Sequence, residues 1–366
     1  MAGGTRRGGW RARRRVLLPE HRPAPLPGGS PGPGSVRRER NPGGDPGGGT
    51  PGPVRSLAFD GNSPRLSDLQ SVNTAIAGRP VPGSGTGPCV DLHMHSTASD
   101  GTVAPADVAR AVAEAGLDGF SLTDHDTTQG LAEAETAARA LGLRFLPGAE
   151  LSANEPGRSV HLLAYGFDVA DPGLQTFLSR YREDRLRRAR EIVERLQAAG
   201  ARVTWEAVEL QAGAAAPTRA HVGRAVVACG AVADINEAFR RYLSRGRPAF
   251  VGKEPTPPSV VFDCVHAAGG VVCLAHPGRT HGEDDVRRWA SEGLDGVEVV
   301  HPANPPAVQS RMNALAGELG LLRCGGSDWH GPDTGRRGVP GWAHVPTRWL
   351  EEIRRRSCRR ADRQPA

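Results

Sequence analysis

The stretch CVDLHMHSTASDGTVAPADVARAVAEAGLDGFSLTDHD, residues 89–126, decides the fold. Val90–His93 is a short apolar run that reads as a strand, Pro105–Ala115 is amphipathic at helical spacing, and Phe120–Thr123 is a second apolar run. Gly116 stands where that helix must stop, a position that favours a residue without a Cβ. The alternation continues downstream. Strands are predicted at Arg144–Ala149, His161–Gly166, Val271–Ala275, Gly296–Val300 and Leu322–Gly325, and helices at Leu131–Leu141, Ser259–Ala268, Asp284–Glu292 and Pro306–Leu319. Strands that alternate with helices imply crossover units and a parallel sheet. Seven of them predict an α/β chain, a distorted (β/α)7 barrel over residues 89–170 and 253–346. Residues 171–252 break the pattern with about four helical stretches, including Leu174–Ala199 and Pro217–Cys229, and no strand. A helical insertion domain is predicted there, lying as a substrate cap over the C-terminal strand ends where a barrel builds its active site. Residues 347–366 are read as a C-terminal helix and tail, with the basic run from Arg354 to Arg360 a fraying helix end.

Upstream the composition changes. Gly and Pro supply 33 of residues 1–88, too little apolar surface to offset ordering entropy, so a disordered N-terminal tail is predicted. That segment carries 13 Arg against five acids, which leaves residues 89–366 at a net charge of −2 although the whole chain is at +6. A uniformly basic nucleic-acid-binding body is therefore excluded, and only the tail could act as an RNA-attracting arm. Of the 46 basic residues, Lys253 alone is a lysine. No run approaches the roughly 18 apolar residues of a membrane span. After Arg11–Arg15 only Val16, Leu17 and Leu18 precede Pro19, short of the about 7–15 residues of an export signal. The six cysteines show no C-x-x-C spacing, so neither a zinc ribbon nor a disulfide framework is indicated, and a cytoplasmic location is expected.

The candidate ligands fall where predicted strands end. His93 and His95 are two residues apart on a strand and so share a face, able to grip one ion together. His125 stands between Asp124 and Asp126, Glu150 follows Pro147-Gly-Ala, His161 opens a strand, His276 closes one, and Asp328 and His330 follow the last. Each alone reads equally as a surface histidine or a solvated loop acid. Six strand ends that present His, Asp or Glu to one rim are not a chance pattern.

Together D-L-H-M-H-S-T-A-S-D-G-T, T-D-H-D, P-G-A-E, H-L-L-A-Y, L-A-H-P and G-S-D-W-H resemble the PHP (polymerase and histidinol phosphatase) family of metal-dependent phosphoesterases, in order, from about Asp91 to Trp342. The chain is most similar to the branch of nucleoside 3′,5′-bisphosphate phosphatases and 5′-to-3′ exoribonucleases of the RNase AM type, which carries a helical insertion after the H-x-L-x-Y strand. The resemblance implies three divalent ions per chain. His93 and His95, completed by Asp328, would hold the first. Glu150 would bridge it to a second held by His161 and His276, and Asp100, His125 and His330 would hold the third. This donor mixture suits Mn²⁺, Fe²⁺ or Zn²⁺ better than Ca²⁺, and the family favours Mn²⁺. A metal-bridging hydroxide would attack phosphorus. Asp91, Asp124 and Asp126 read equally as partners that fix imidazole tautomers or as turn residues.

Pro217-Thr-Arg219-Ala-His221 resembles the branch's substrate-contacting helix start, which implies that Arg219 and His221 bind the second phosphate, His221 also being a candidate proton donor. Arg245 and Arg247, and Arg336 and Arg337, are weaker substrate candidates. The basic run Arg182–Arg190 reads as a solvated helix face, and His266, His281, His301 and His344 receive no role. The predicted substrate is a nucleotide bisphosphate or the 5′ end of short RNA, with no stable protein partner. Histidinol-phosphate or other small-molecule hydrolysis, an amidohydrolase-type deaminase and a non-catalytic RNA-binding scaffold are the competing readings.

Overall fold

The computed structural model describes residues 87–332, 334, 338–342 and 344–362. The predicted tail, apart from residues 87 and 88, lies outside the described residues, as do Arg336 and Arg337.

Nine strands are described. Strand β1 (Cys89–Asp91) pairs in parallel with β2 (Gly119–Phe120), and β2 with β3 (Arg144–Phe145). The second sheet runs β4 (Gly148–Glu155), β5 (Arg158–Tyr165), β6 (Val271–Leu274), β7 (Gly296–Val300) and β8 (Leu322–Gly325). Strand β9 (Val345–Pro346) returns antiparallel to β1 and completes a four-stranded sheet of order β3-β2-β1-β9. The α/β class holds, but in place of the expected distorted (β/α)7 barrel the described strands form a four- and a five-stranded sheet. Isolated bridges bring the two together, Met94 to Trp329 and His125 to Glu150.

One residue explains much of the difference. The run Arg144–Ala149 was expected as one strand, yet Pro147 has no N–H to donate to a ladder, so the chain leaves the first sheet after Phe145 and enters the second at Gly148. From there β4 and β5 form an antiparallel hairpin over eight residue pairs, Gly148 opposite Tyr165 to Glu155 opposite Arg158. Strand β5 is antiparallel to β6, whereas β6, β7 and β8 are parallel.

Helices α1 (Pro105–Glu114), α2 (Leu131–Ala140), α7 (Pro258–Ala267), α8 (Glu283–Glu292) and α9 (Pro306–Leu319) lie within a residue of their predicted bounds, and between α2 and α7 stand the helices of the insertion. Gly116 and Gly320, at the ends of α1 and α9, have φ of 70° and 66°, as a left-handed cap requires. The described elements between Pro172 and Leu243 are all helical: α3 (Pro172–Ala198), α4 (Trp205–Ala212), α5 (Arg219–Ala228), α6 (Ile235–Ala238) and a π-helical turn over Phe239–Leu243. Helix α3 is shared between two cores. Leu174 and Leu178 join the main core with Leu92, Phe120, Leu151, Leu162 and Leu274. Ile192, Val193 and Leu196 join a second core with Val208, Val222, Val226 and Leu243. Among the described residues no helix is long and apolar enough to cross a membrane, and none of the six cysteines is in a disulfide.

Helix α10 (Thr347–Ala361) is anchored, not fraying. It buries Trp349, Leu350 and Ile353, and Arg360 pairs bidentately with the buried Asp295 at 2.8 Å for both bonds. Asp295 also accepts from His266 Nε2 at 2.8 Å and from the Val272 amide at 3.0 Å. Burial alone would raise its pKa, but His266 and Arg360 hold it below the ordinary aspartate value. A carboxylate stabilised in this way contributes fully above the ordinary value of about 3.9 and loses its contribution as the pH falls below it. Asp295→Ala should therefore cost about 1–3 kcal/mol in urea unfolding at pH 7, with the difference from wild type shrinking toward pH 3.

Candidate metal centre

The nine predicted ligands converge on one rim. Glu150, on β4 and 1% exposed, is the hub. Its Oε2 stands 3.2 Å from His93 Nε2, 3.2 Å from His95 Nε2 and 3.1 Å from His125 Nδ1. Its Oε1 stands 2.7 Å from His161 Nδ1 and 3.1 Å from His276 Nε2. Asp328 Oδ1 lies 3.3 Å from His95 Nε2 and 3.6 Å from His93 Nε2, and Asp100 Oδ1 lies 3.3 Å from His330 Nε2 and 3.8 Å from His125 Nε2.

Local backbone explains how so many short elements can aim at one point. His93 and His95 follow β1 on alternate residues, and the chain beyond β8 runs beside them, with the Asp328 amide donating to His93 O and the His95 amide to Trp329 O, both at 2.8 Å. Gly326 lies so close beneath His93 that a Cβ there would overlap its backbone nitrogen and the Asp91 carboxylate. Among the described residues three non-glycines have positive φ, Asp126 (54°), His276 (32°) and Asp328 (52°), all at this rim. Strained backbone of this kind persists where surrounding structure over-determines it, and it clusters at functional sites.

The donors form four groups, each able to hold a divalent ion: His95, Asp100, His125 and His330; His93, His95, Glu150 and Asp328; His125, Glu150 and His161; and His93, Glu298 and His301. The last brings in two residues that the sequence reading passed over. Glu298 is fully buried and its Oε1 lies 2.9 Å from His93 Nδ1, while His301 Nε2 lies 3.4 Å from Asp328 Oδ2. An irregularity in β7 between Glu298 and Val300 sets the strand out of step with β8 just there. The signal for Glu298 was an acid inside the apolar strand Gly-Val-Glu-Val-Val, a residue that is rarely buried without a partner.

Electrostatics confirm how tightly these charges are coupled. Burial opposes protonation of His93, but Glu298, Glu150 and Asp328 outweigh it and raise its pKa well above the usual value. At His95 too burial opposes protonation, but the carboxylates of Asp328 and Glu150, 3.3 and 3.2 Å from Nε2, outweigh it and raise the pKa to about 9. At His161 burial wins over Glu150 and lowers the pKa to about 4. Glu150 itself resists the upward push of burial because His125, His161 and His93 hold it well below the carboxylate range.

Asp91, Asp124 and Asp126 serve the backbone of the rim. Asp91 accepts from the His93 and Ser327 amides at 3.2 and 3.0 Å, and burial pushes its pKa up to about 6. Asp124 accepts from Ser96 N and from the hydroxyls of Ser96 and Ser99 at 2.5–2.8 Å. Asp126 accepts from Ser152 N at 2.6 Å and from Arg185 Nε at 3.0 Å.

Beside the donors opens a cleft of ≈ 680 Å³. Asp100, His125, His161, His301 and Asp328 line it together with Arg185, Arg188, Arg219 and Lys253. The expectation of a solvated face at Arg182–Arg190 is thus corrected. Arg185 and Arg188 are buried because they fall on the stripe that continues as Ile192 and Leu196. Arg219 lies in the cleft wall, its guanidinium 6.0 Å and 5.8 Å from the Phe239 and Phe250 ring centres. His221 does not join the cleft lining. It is buried as the third residue of a capping box, its Nδ1 accepting from the Thr218 amide at 3.1 Å, and burial lowers its pKa to about 4. With Nδ1 accepting, the neutral ring carries its proton on Nε2. Arg245 and Arg247 are exposed and outside the lining, Arg245 lying against Phe250 at 5.7 Å.

The comparisons with known proteins agree with the motif reading. A family model described as the PHP domain matches residues 91–243. A 3′,5′-nucleoside bisphosphate phosphatase of Chromobacterium violaceum is 35% identical over 70% of this chain and 92% of its own length. A 5′-3′ exoribonuclease of Haemophilus influenzae is 34% identical over 66% of this chain and 90% of its own. A solved Bifidobacterium adolescentis structure described as a metal-dependent phosphoesterase superposes with a TM-score of 0.69 at 32% identity, covering 74% of this chain and 96% of that one.

Two substitutions separate the roles at the rim. Glu150→Gln keeps the shape and removes the central charge, so Mn²⁺ titration should show at least one site lost. Glu298→Gln leaves the groups around Glu150 intact but weakens the hold on His93 Nδ1, and should lower Mn²⁺ affinity by about 10- to 100-fold without reducing the number of sites.

Proposed function

We propose, from the premise that this chain belongs to the PHP domain family of phosphoester hydrolases, that it hydrolyses a phosphate ester of nucleoside 3′,5′-bisphosphates and of the 5′ end of short RNA. One observation carries the reading: a single cleft has the carboxylate and imidazole donors in one part of its lining and four cationic side chains in another. Its ≈ 680 Å³ falls within the about 300–1,000 Å³ of small-ligand sites.

The donor set fits divalent cations. Both ring nitrogens of His95 and Nδ1 of His276 are buried without a well-aligned hydrogen bond, although His95 Nε2 stands 3.2 and 3.3 Å from two carboxylates. We assign His93, His95, Asp100, His125, Glu150, His161, His276, Asp328 and His330 as the residues that would hold three ions, Mn²⁺ first among the candidates. Bound there, the ions would supply Lewis-acid activation of water and neutralise charge on the reacting phosphate.

The remaining work falls to the chain itself. Arg185, Arg188 and Arg219 offer planar donor pairs to a second phosphate. Lys253 donates to Ser152 Oγ at 2.9 Å, and burial lowers its pKa to about 7 against the pull of Asp126, helped by Arg185 and Arg219. A phosphate in the cleft supplies the anion that its ammonium form lacks. Ile235 and Phe239 also line the cleft and give a nucleobase an apolar surface.

Arg219→Ala tests the division between recognition and chemistry. A charge-assisted hydrogen bond contributes about 1.5–3 kcal/mol, so kcat/KM on a nucleoside 3′,5′-bisphosphate should fall by roughly 10- to 100-fold. Metal content, and turnover of a small activated monophosphate ester that lacks a second phosphate, should be nearly unchanged. Equal losses on both substrates would place Arg219 at the reacting phosphate. Faster release from histidinol phosphate than from any bisphosphate in a substrate panel would overturn the proposed substrate class.

A further inference from the structure

Lys253 is the one amine among 46 basic residues, and it sits in the cleft wall with Arg185, Arg188 and Arg219. Guanidinium groups stay protonated and are poor nucleophiles. The lysine alone in that wall can lose a proton and attack an electrophile. It is also not locked in an ion pair: Nζ donates to Ser152 Oγ at 2.9 Å and lies 3.5 Å from Ser159 Oγ. Among the described residues no carboxylate oxygen lies within 4.0 Å of Nζ, and Asp126, the acid that acts on it most, is already engaged by Arg185 and Ser152.

We propose that Lys253 is a site of covalent acylation by acyl phosphates, mixed anhydrides of a carboxylic acid and phosphoric acid that the neighbouring arginines capture by their phosphate end. The inference rests on the reading that this wall holds a phosphate. The Nζ lone pair forms the N–C bond to the acyl carbon, and the bond from that carbon to the phosphate oxygen breaks. Phosphate leaves with the electron pair, held by the same guanidiniums, and the amine proton passes to water. No redox partner is required. The product is a neutral amide, so the wall loses one of its four cations. Acylation thereby acts as a brake on binding of the second phosphate. The depressed pKa of about 7 supports the chemistry, because a substantial share of the amine is unprotonated near neutral pH. Burial is the largest cause of that depression; Asp126 favours the charged form, and Arg185, Arg219 and Arg188 oppose it.

The absence of any other lysine makes the test simple, since the α-amino group at the chain's start is the only competing amine. The Mn²⁺-loaded full chain is treated with acetyl phosphate, and in parallel with acetyl N-hydroxysuccinimide ester, which has no phosphate. Intact mass and peptide mapping then give the ratio of Lys253 to α-amino acetylation. One or two charge-assisted hydrogen bonds to the phosphate should make that ratio at least about 10-fold higher with acetyl phosphate. Inorganic phosphate should bring it back down, and Arg219→Ala should remove most of the difference. Bisphosphate hydrolysis should fall in proportion to Lys253 acetylation. An equal ratio with the two reagents, or acetylation confined to the α-amino group, overturns the proposal. Hydrolysis by untreated wild type and Arg219→Ala is measured on the same preparations. If hydrolysis depends on Arg219 while Lys253 resists acetyl phosphate, the acylation proposal fails alone and the proposed function stands.

Discussion

Five imidazole nitrogens stand 2.7–3.2 Å from the two oxygens of Glu150, in a place with almost no solvent access. Three of them crowd one oxygen, Oε2, which has only about two lone-pair directions to offer. Asp328 and Asp100 bring two more buried carboxylates against the same rings. Removing such charges from water costs several kcal/mol per ion unless each finds excellent partners, and hydrogen bonds alone cannot serve every atom in so dense a cluster. Divalent cations held among the donors would resolve it, because each would satisfy several ring nitrogens and carboxylates at once. Metal binding to the folded chain and stability of the fold are linked on this account.

The rest of the rim follows from that demand. Donors must arrive from β1, β2, β4, β5, β6 and β8, and the chain reaches them through the positive-φ residues Asp126, His276 and Asp328 and the close approach at Gly326. Much of this was legible in the sequence because strand ends and candidate ligands coincide: His93 with His95, His125, Glu150, His276, and Asp328 with His330 stood out together at predicted strand ends, and the family resemblance supplied their assignment as a ligand set. The β4–β5 hairpin was not, since Ser-Ala-Asn-Glu-Pro-Gly-Arg-Ser carries few apolar residues. Its pairing is set by the turn at Pro156-Gly157 and by burial of β4 from Gly148 to Ala153 and of most of β5, not by propensity. Glu298 and His301 were missed for another reason. Their roles depend on two strands meeting at His93, a fact about topology rather than about neighbours in the chain.

The cationic wall shows the same limit from the other side. A run such as Arg182–Arg190 with opposite charges at i,i+4 satisfies the pattern of a solvated face, and Arg187 and Arg190 do occupy one. Arg185 and Arg188 differ only in their phase relative to Ile192 and Leu196, which turns them toward the cleft. Charge content could not reveal them, but the helical phase could. His221 shows the opposite case: a Thr-x-x-His start resembles a phosphate site, yet its Nδ1 closes the helix N-terminus and the residue lies outside the cleft lining.

Ser152 ties the two parts of the cleft together. It lies two residues beyond Glu150 on β4, on the same face and about 6.6 Å further along at the rise of a strand. Its amide and hydroxyl donate to Asp126, which holds Arg185; its hydroxyl accepts from Lys253; and its carbonyl accepts from the Tyr181 hydroxyl. The cationic wall is therefore indexed to the metal donors through one rigid strand, paired along its full length with β5. A substrate with phosphates at two points asks for this, a set distance between the group that reacts and the group that is held. A flexible loop would let that distance drift, whereas a strand of eight paired residues does not.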